Sequence, residues 1–145
     1  MGRRCGDRMA SDAQKVTFRA AQWSVAAARE LSKIADATLA DITTFAREVS
    51  AGRWQLWEIM ADDQRVGFIV WSVENDSKGF SLIVNAAHAS PVPGACVATE
   101  ILSAFEAMGR KTGAHSIRCW TIREGLRRKL EKSGAKRRYV MEIDL

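Results

Sequence analysis

The residues of this chain best suited to chemistry are one histidine, one carboxylate and a glycine turn that feeds a helix. His88 closes the apolar run 80–89 (FSLIVNAAHA). An imidazole titrates near neutral pH, so at a strand end it can take a proton from an incoming ammonium. The competing reading is a surface or hydrogen-bonded histidine that serves no reaction. Glu58 sits inside the apolar run 54–61 (WQLWEIMA). A carboxyl among apolar side chains resists ionisation, which raises its pKa toward the range of a base working at pH 7. The alternative places Glu58 at a sheet edge, pointing to water. The third feature is Ser90-Pro91-Val92-Pro93-Gly94, where a strand breaks and a helix follows. The first N–H groups of a helix lack intrahelical partners. Those of Gly94, Ala95, Cys96, Val97 and Ala98 therefore form a candidate anion site, suited to a phosphate. A Pro-Gly turn before a helix also needs no ligand at all. Cys96 reads either as a thiolate of lowered pKa or as a small packed residue.

Composition narrows the other options. Cys5, Cys96 and Cys119 are odd in number and widely spaced, and His88 and His115 are the only histidines. Neither a zinc site nor a disulfide framework is expected from that set, and no metal is called for. A reducing, cytoplasmic setting is the default. The longest apolar runs fall short of a membrane helix, so a soluble protein without membrane partners is expected. Residues 1–14 carry basic residues but no apolar stretch behind them. They read as a flexible leader rather than a secretory signal. The net charge of +5 is unevenly placed: between Arg110 and Tyr139, eleven Lys and Arg face only Glu124 and Glu131. Such asymmetry suits a phosphate-rich partner, a nucleotide cofactor or a nucleic acid, and equally a solvated helix face.

The elements that must position these groups follow from hydrophobic periodicity. Residues 16–20 predict a first strand, and Ser24 an N-cap. A helical stripe then runs over 25–49, divisible at Asp36 or Asp41, and ends at Ala51-Gly52. Segments 54–61 and 65–74 predict a hairpin around the short ADDQ turn. Both are apolar on two faces, as in a sheet covered on both sides. Segment 80–89 follows as a strand, then a helix over 96–109 and a strand over 116–122. A basic helix over 123–133 is closed by Gly134, and a last strand covers 139–145. Trp54, Trp57, Trp71 and Trp120 all fall in strands, as core or pocket wall. With 145 residues, 47% hydrophobic, the chain fits one domain over 15–145. The pattern is α+β with a mixed sheet.

That order, over roughly 16–145, resembles the GCN5-related N-acetyltransferase (GNAT) superfamily. Arg65-Val66-Gly67-Phe68-Ile69 resembles its third strand, and Leu130-Glu131-Lys132-Ser133-Gly134-Ala135 resembles its late Lys-x-Gly turn. The loop Pro91-Val92-Pro93-Gly94-Ala95-Cys96 stands where the family has (Arg/Gln)-x-x-Gly-x-(Gly/Ala). Only Gly94 agrees, Pro91 and Cys96 depart, and both prolines lack an N–H. Leu130 stands where many members carry a tyrosine that protonates the leaving thiolate.

The resemblance implies a three-layer α/β/α fold around a mostly antiparallel sheet, with acetyl-CoA as co-substrate. Its pantetheine arm would pair with Ala87, His88 and Ala89, and its pyrophosphate would face the N–H groups of residues 94–98. The implied reaction moves an acetyl group to an amine of a small molecule or protein, with Glu58 or His88 as base. Two rivals stand beside it. One is a non-catalytic GNAT-like component of a phage or mobile element, supported by the altered loop. The other is a nucleic-acid-binding module using Arg127, Arg128, Lys132, Lys136, Arg137 and Arg138.

Overall fold

The computed structural model describes residues 14–34, 37–119, 128, 130–132, 134–136 and 143–144. Strand β1 (Val16–Ala21) leads to helices α1 (Val25–Leu31) and α2 (Leu39–Ser50). Three strands follow, β2 (Gln55–Ala61), β3 (Gln64–Asp76) and β4 (Gly79–Ala89), then helix α3 (Val97–Thr112) and strand β5 (Ser116–Cys119). The five strands form one sheet in sequence order. β1 to β4 pair antiparallel, and β5 joins β4 in parallel after the α3 crossover.

The sheet is covered on both faces, as the apolar runs of β2 and β3 require. On one face Leu56, Phe68 and Val70 pack against Ala27 and Leu31 of α1, with Ile42, Phe45 and Val49 of α2 beside them. On the other, Ile59, Ile69 and Leu82 pack against Phe105 of α3. Trp57 and Trp71 belong to this second core, at ring centroid distances of 5.4 and 5.7 Å from Phe105. Trp54 packs on Phe45, while Trp120 lies outside the described residues.

The single stripe over 25–49 resolves into two helices. Ser24 caps α1, its side chain accepting from the Ala27 N–H at 3.1 Å. A capping box at Thr38 and Asp41 starts α2 afresh. Asp41 therefore does not break a helix; its carboxylate closes the first turn of one. The ADDQ turn is a two-residue hairpin in which Asp62 takes φ 51°, a conformation that aspartate tolerates. Of the expected basic helix, Arg128, Leu130, Glu131 and Lys132 are helical and Gly134 has the left-handed φ of 95° of a C′ residue. The last strand and the rest of that helix lie outside the described residues, save Ile143 and Asp144, which are exposed and in no strand.

Candidate active site

The site is organised by what happens to β4 in its second half. Val70 faces Ala86 while Trp71 faces Val84, so Asn85 is an extra residue, a β-bulge. A bulge bends and twists its strand. Asn85 is held there by its side-chain amide, which donates to Ser72 Oγ at 2.9 Å. The ladder to β5 runs from Ser81–Ser116 to Val84–Cys119. Beyond Val84, among the described residues, the outer edge of Asn85–Ala89 has no ladder partner. A strand edge without a partner is the kind on which an extended ligand adds as a further strand.

One face of this half-strand carries the polar groups. The cross-strand partners Arg19, Glu58, Phe68 and His88 form a single row over β1 to β4. Phe68 packs against α1, so the row faces that helix. His88 Nδ1 lies 3.0 Å from Glu30 Oε1 of α1, and Glu30 Oε2 lies 3.3 Å from Lys33 Nζ. Burial of the Glu30 carboxyl works to raise its pKa, but hydrogen bonds from His88 and Lys33, with their charges, outweigh it. The net effect holds the carboxyl below its ordinary value. Behind His88 the backbone is tightly packed: a Cβ on Gly67 would stand 2.1 Å from the His88 carbonyl oxygen. Only glycine fits there, and its absence of side chain lets β3 and β4 approach.

Glu58 has a different setting from the one its apolar strand predicts. Arg19, directly across the β1–β2 pair, donates from Nε to Glu58 Oε2 at 3.0 Å and from its terminal nitrogen to the same oxygen. The carboxylate is thus paired with a cation rather than surrounded by hydrocarbon. Glu58 and His88 share a face but flank Phe68, two strand spacings apart, about 10 Å. The structure places both in one row and does not bring them into contact.

The loop before α3 is a turn built by its own sequence. Pro93 and Gly94, with φ 76° at Gly94, fit a type II turn, and the Ala95 N–H closes it on the Val92 carbonyl at 3.2 Å. The Ala95 N–H is therefore engaged within the protein. Cys96 is the N-cap of α3 and supplies no side-chain cap. The N–H groups of Val97 and Ala98 belong to the first turn, which the helix itself cannot satisfy. Cys96 is buried and disulfide-bonded. The sequence led to no expectation of a disulfide, and one at Cys96 corrects that; a disulfide sulfur is no thiolate. Its Sγ instead accepts from Thr99 Oγ1 at 3.2 Å. Of the basic side chains singled out in the sequence, Arg128, Lys132 and Lys136 are exposed, and Arg127, Arg137 and Arg138 lie outside the described residues.

Cavities among the described residues lie elsewhere. One of about 370 Å³ sits where β1 ends, between Trp23 and Trp54. Another, of about 160 Å³, lies beside Gly109 and Ile117 at the start of β5. Neither is lined by residues 85–98.

Glu30 was missed in the sequence, where it appears as one carboxylate in an alanine-rich helix. Nothing in the spacing of positions 30 and 88 links them; only the docking of α1 on β4 does. No family model and no curated protein sequence matches the chain. Solved structures do. The aminoglycoside N-acetyltransferase AAC(6')-Iy in complex with CoA superposes with a TM-score of 0.60 at 15% identity, covering 94% of this chain and 97% of that one. A predicted acetyltransferase from Clostridium acetobutylicum with acetyl-CoA gives 0.61 at 13% identity, over 90% and 96%. Ribosomal-protein-alanine N-acetyltransferase from Brucella melitensis biovar Abortus gives 0.63 at 12% identity, over 90% and 99%. The class is thereby defined: an α+β protein with the GNAT fold, three layers around a mixed sheet. At these identities the chain is a divergent example of it.

Proposed function

We propose that this protein is an acyl-CoA-dependent N-acyltransferase that moves an acetyl group from acetyl-CoA to an amine. The observation that carries the proposal is the β-bulge at Asn85, which bends β4 just ahead of Ala87, His88 and Ala89. The backbone of those three residues is suited to pair with the amides of a pantetheine arm. The N–H groups of Gly94, Val97 and Ala98, at or just before the first turn of α3, are suited to the pyrophosphate. Ala95 contributes less, since its N–H serves the turn. Two solved neighbours of the same fold are described with CoA or acetyl-CoA, which supports this choice of co-substrate.

The chemistry is direct attack. Held beside the thioester, the amine nitrogen bonds to the carbonyl carbon, whose oxygen takes up the electron pair and is stabilised by N–H groups of β4. His88 accepts the proton lost by the nitrogen. Collapse of the intermediate expels the CoA thiolate and leaves the N-acetylated amine. Leu130 has no proton to give that thiolate, so solvent or the acceptor must supply it. Glu58, bonded to Arg19, lies farther along the same face and is the second candidate for the base.

A thermal-shift titration tests the proposal. Acetyl-CoA at about 100 times its dissociation constant adds roughly 2.7 kcal/mol of stability, a plainly visible rise in Tm. No rise at millimolar acetyl-CoA contradicts the proposal and leaves a GNAT fold used without catalysis.

A further inference from the structure

We infer that Glu30 is a positioning residue: it fixes the His88 ring as the Nδ1–H tautomer and so presents Nε2 as the proton acceptor of the site. The inference rests on the acyl-transfer reading for its chemical purpose, but its geometry stands alone.

The two Glu30 oxygens have separate tasks. Oε1 faces His88 Nδ1 at 3.0 Å and Oε2 faces Lys33 Nζ at 3.3 Å. An ionised carboxylate only accepts hydrogen bonds, so the proton of a neutral imidazole must sit on Nδ1. Nε2 is then the nitrogen with a free lone pair. The depressed pKa of Glu30 keeps it ionised at neutral pH, which sustains this arrangement. Lys33 holds the second oxygen and opposes rotation of the carboxylate. The Glu30 side chain is 15% exposed against 27% for His88, so the ring is the member open to a substrate. From the other side, Gly67 presses the β3 backbone against the His88 carbonyl and fixes the strand that carries the ring. A ring held at Nδ1 by a mostly buried carboxylate, with the lone pair left on Nε2, is prepared to gain a proton there and to have the resulting cation stabilised by the same carboxylate.

The alternative is a staple that only joins α1 to β4. Side-chain 15N NMR of His88, recorded where the ring is neutral, separates the two. The expected result is the Nδ1–H form in the wild type and a mixture of tautomers in Glu30→Gln, whose amide can either accept or donate. In acetyl-transfer assays Glu30→Gln is expected to lose roughly 100-fold in kcat, with KM for acetyl-CoA changed less than about twofold. Glu30→Asp, which keeps the charge, should recover part of the loss. An Nε2–H tautomer in the wild type overturns the inference, and needs no mutant to fold. So does a Glu30→Gln protein that melts earlier with tautomer and kcat unchanged. If instead His88→Gln retains full turnover, the choice of base fails, and the tautomer measurement still decides what Glu30 does to the ring.

Discussion

A histidine–carboxylate pair lies beside each end of β4, and the two pairs differ in what they leave exposed. At the far end His88 is bonded through Nδ1 to Glu30, a carboxylate carried by α1 and mostly buried. Near the start, His115 is bonded through Nε2 to both Asp76 oxygens, at 3.0 and 2.9 Å, with Ser81 Oγ at 3.4 Å from the same nitrogen. There Arg118 also reaches Asp76, and the His115 N–H bonds the Phe80 carbonyl. This second cluster ties the β3–β4 hairpin to the entry of β5. A carboxylate–histidine pair is thus not itself a site. The two pairs differ in which ring nitrogen the carboxylate holds, Nδ1 of His88 and Nε2 of His115.

The largest expected difference between the two ends is catalytic. His88→Gln should lower acetyl transfer roughly 10²- to 10⁴-fold, the usual worth of a positioned base. His115→Gln should leave kcat within about twofold, because it reaches no reacting group. Equal losses at both ends, measured in steady-state assays, would erase the distinction.

Stability comes next. Gly67→Ala forces a Cβ onto the His88 carbonyl and the Ala89 backbone, where nothing flexible can yield. A loss of about 2–3 kcal/mol is expected in urea unfolding. At the other end Gly79→Ala meets open space, the nearest atom being His115 Cδ2 at 3.9 Å, and suffers only from its φ of 132°. About 1 kcal/mol is expected there. A mild Gly67→Ala would mean that β3 and β4 are not so tightly joined beside His88.

The smallest effect is on acid stability. Glu30 is held low despite its burial, through His88 and Lys33. Asp76 is held low by the Lys78 N–H first, then by His115, with the charge of Arg118 assisting. Both folded-state values lie below the unfolded ones. The stabilisation from each is therefore complete above the unfolded carboxylate pKa near 4, and is lost as pH falls through the lowered folded value. The Tm gap between wild type and Glu30→Gln should close below about pH 4. The gap for Asp76→Asn should close in the same window and be smaller throughout, since water screens that pair. Gaps that stay constant down to acid would show that charge is not what holds either pair.

Much of this architecture was legible in the residues. Runs rich in aromatic and β-branched side chains located β2, β3 and β4 within a residue or two, because both covered faces demand apolar positions along their length. The Pro93-Gly94 pair marked the turn into α3 for a backbone reason, a positive φ that glycine alone takes freely. Less legible was whatever depends on contacts between distant segments. The charge on Arg19 that meets Glu58 depends on strand register. The bulge at Asn85 depends on how β3 and β4 count against each other. The Glu30 carboxylate reaches His88 only because α1 docks on that face. The division of the 25–49 stripe was expected at Asp36 or Asp41, but the capping box that Thr38 and Asp41 spell, which fixes where α2 starts, was not read from it.

The central claim is that acetyl-CoA binds along the edge of β4 and at the start of α3. The direct measurement is a titration of 15N-labelled protein with acetyl-CoA, followed at backbone amides. Saturable shifts are predicted at Ala86–Ala89 and at Gly94, Val97 and Ala98, with His115 and the β3–β4 hairpin unmoved. Amides of that edge and that helix start that stay in place at saturating acetyl-CoA would contradict the account.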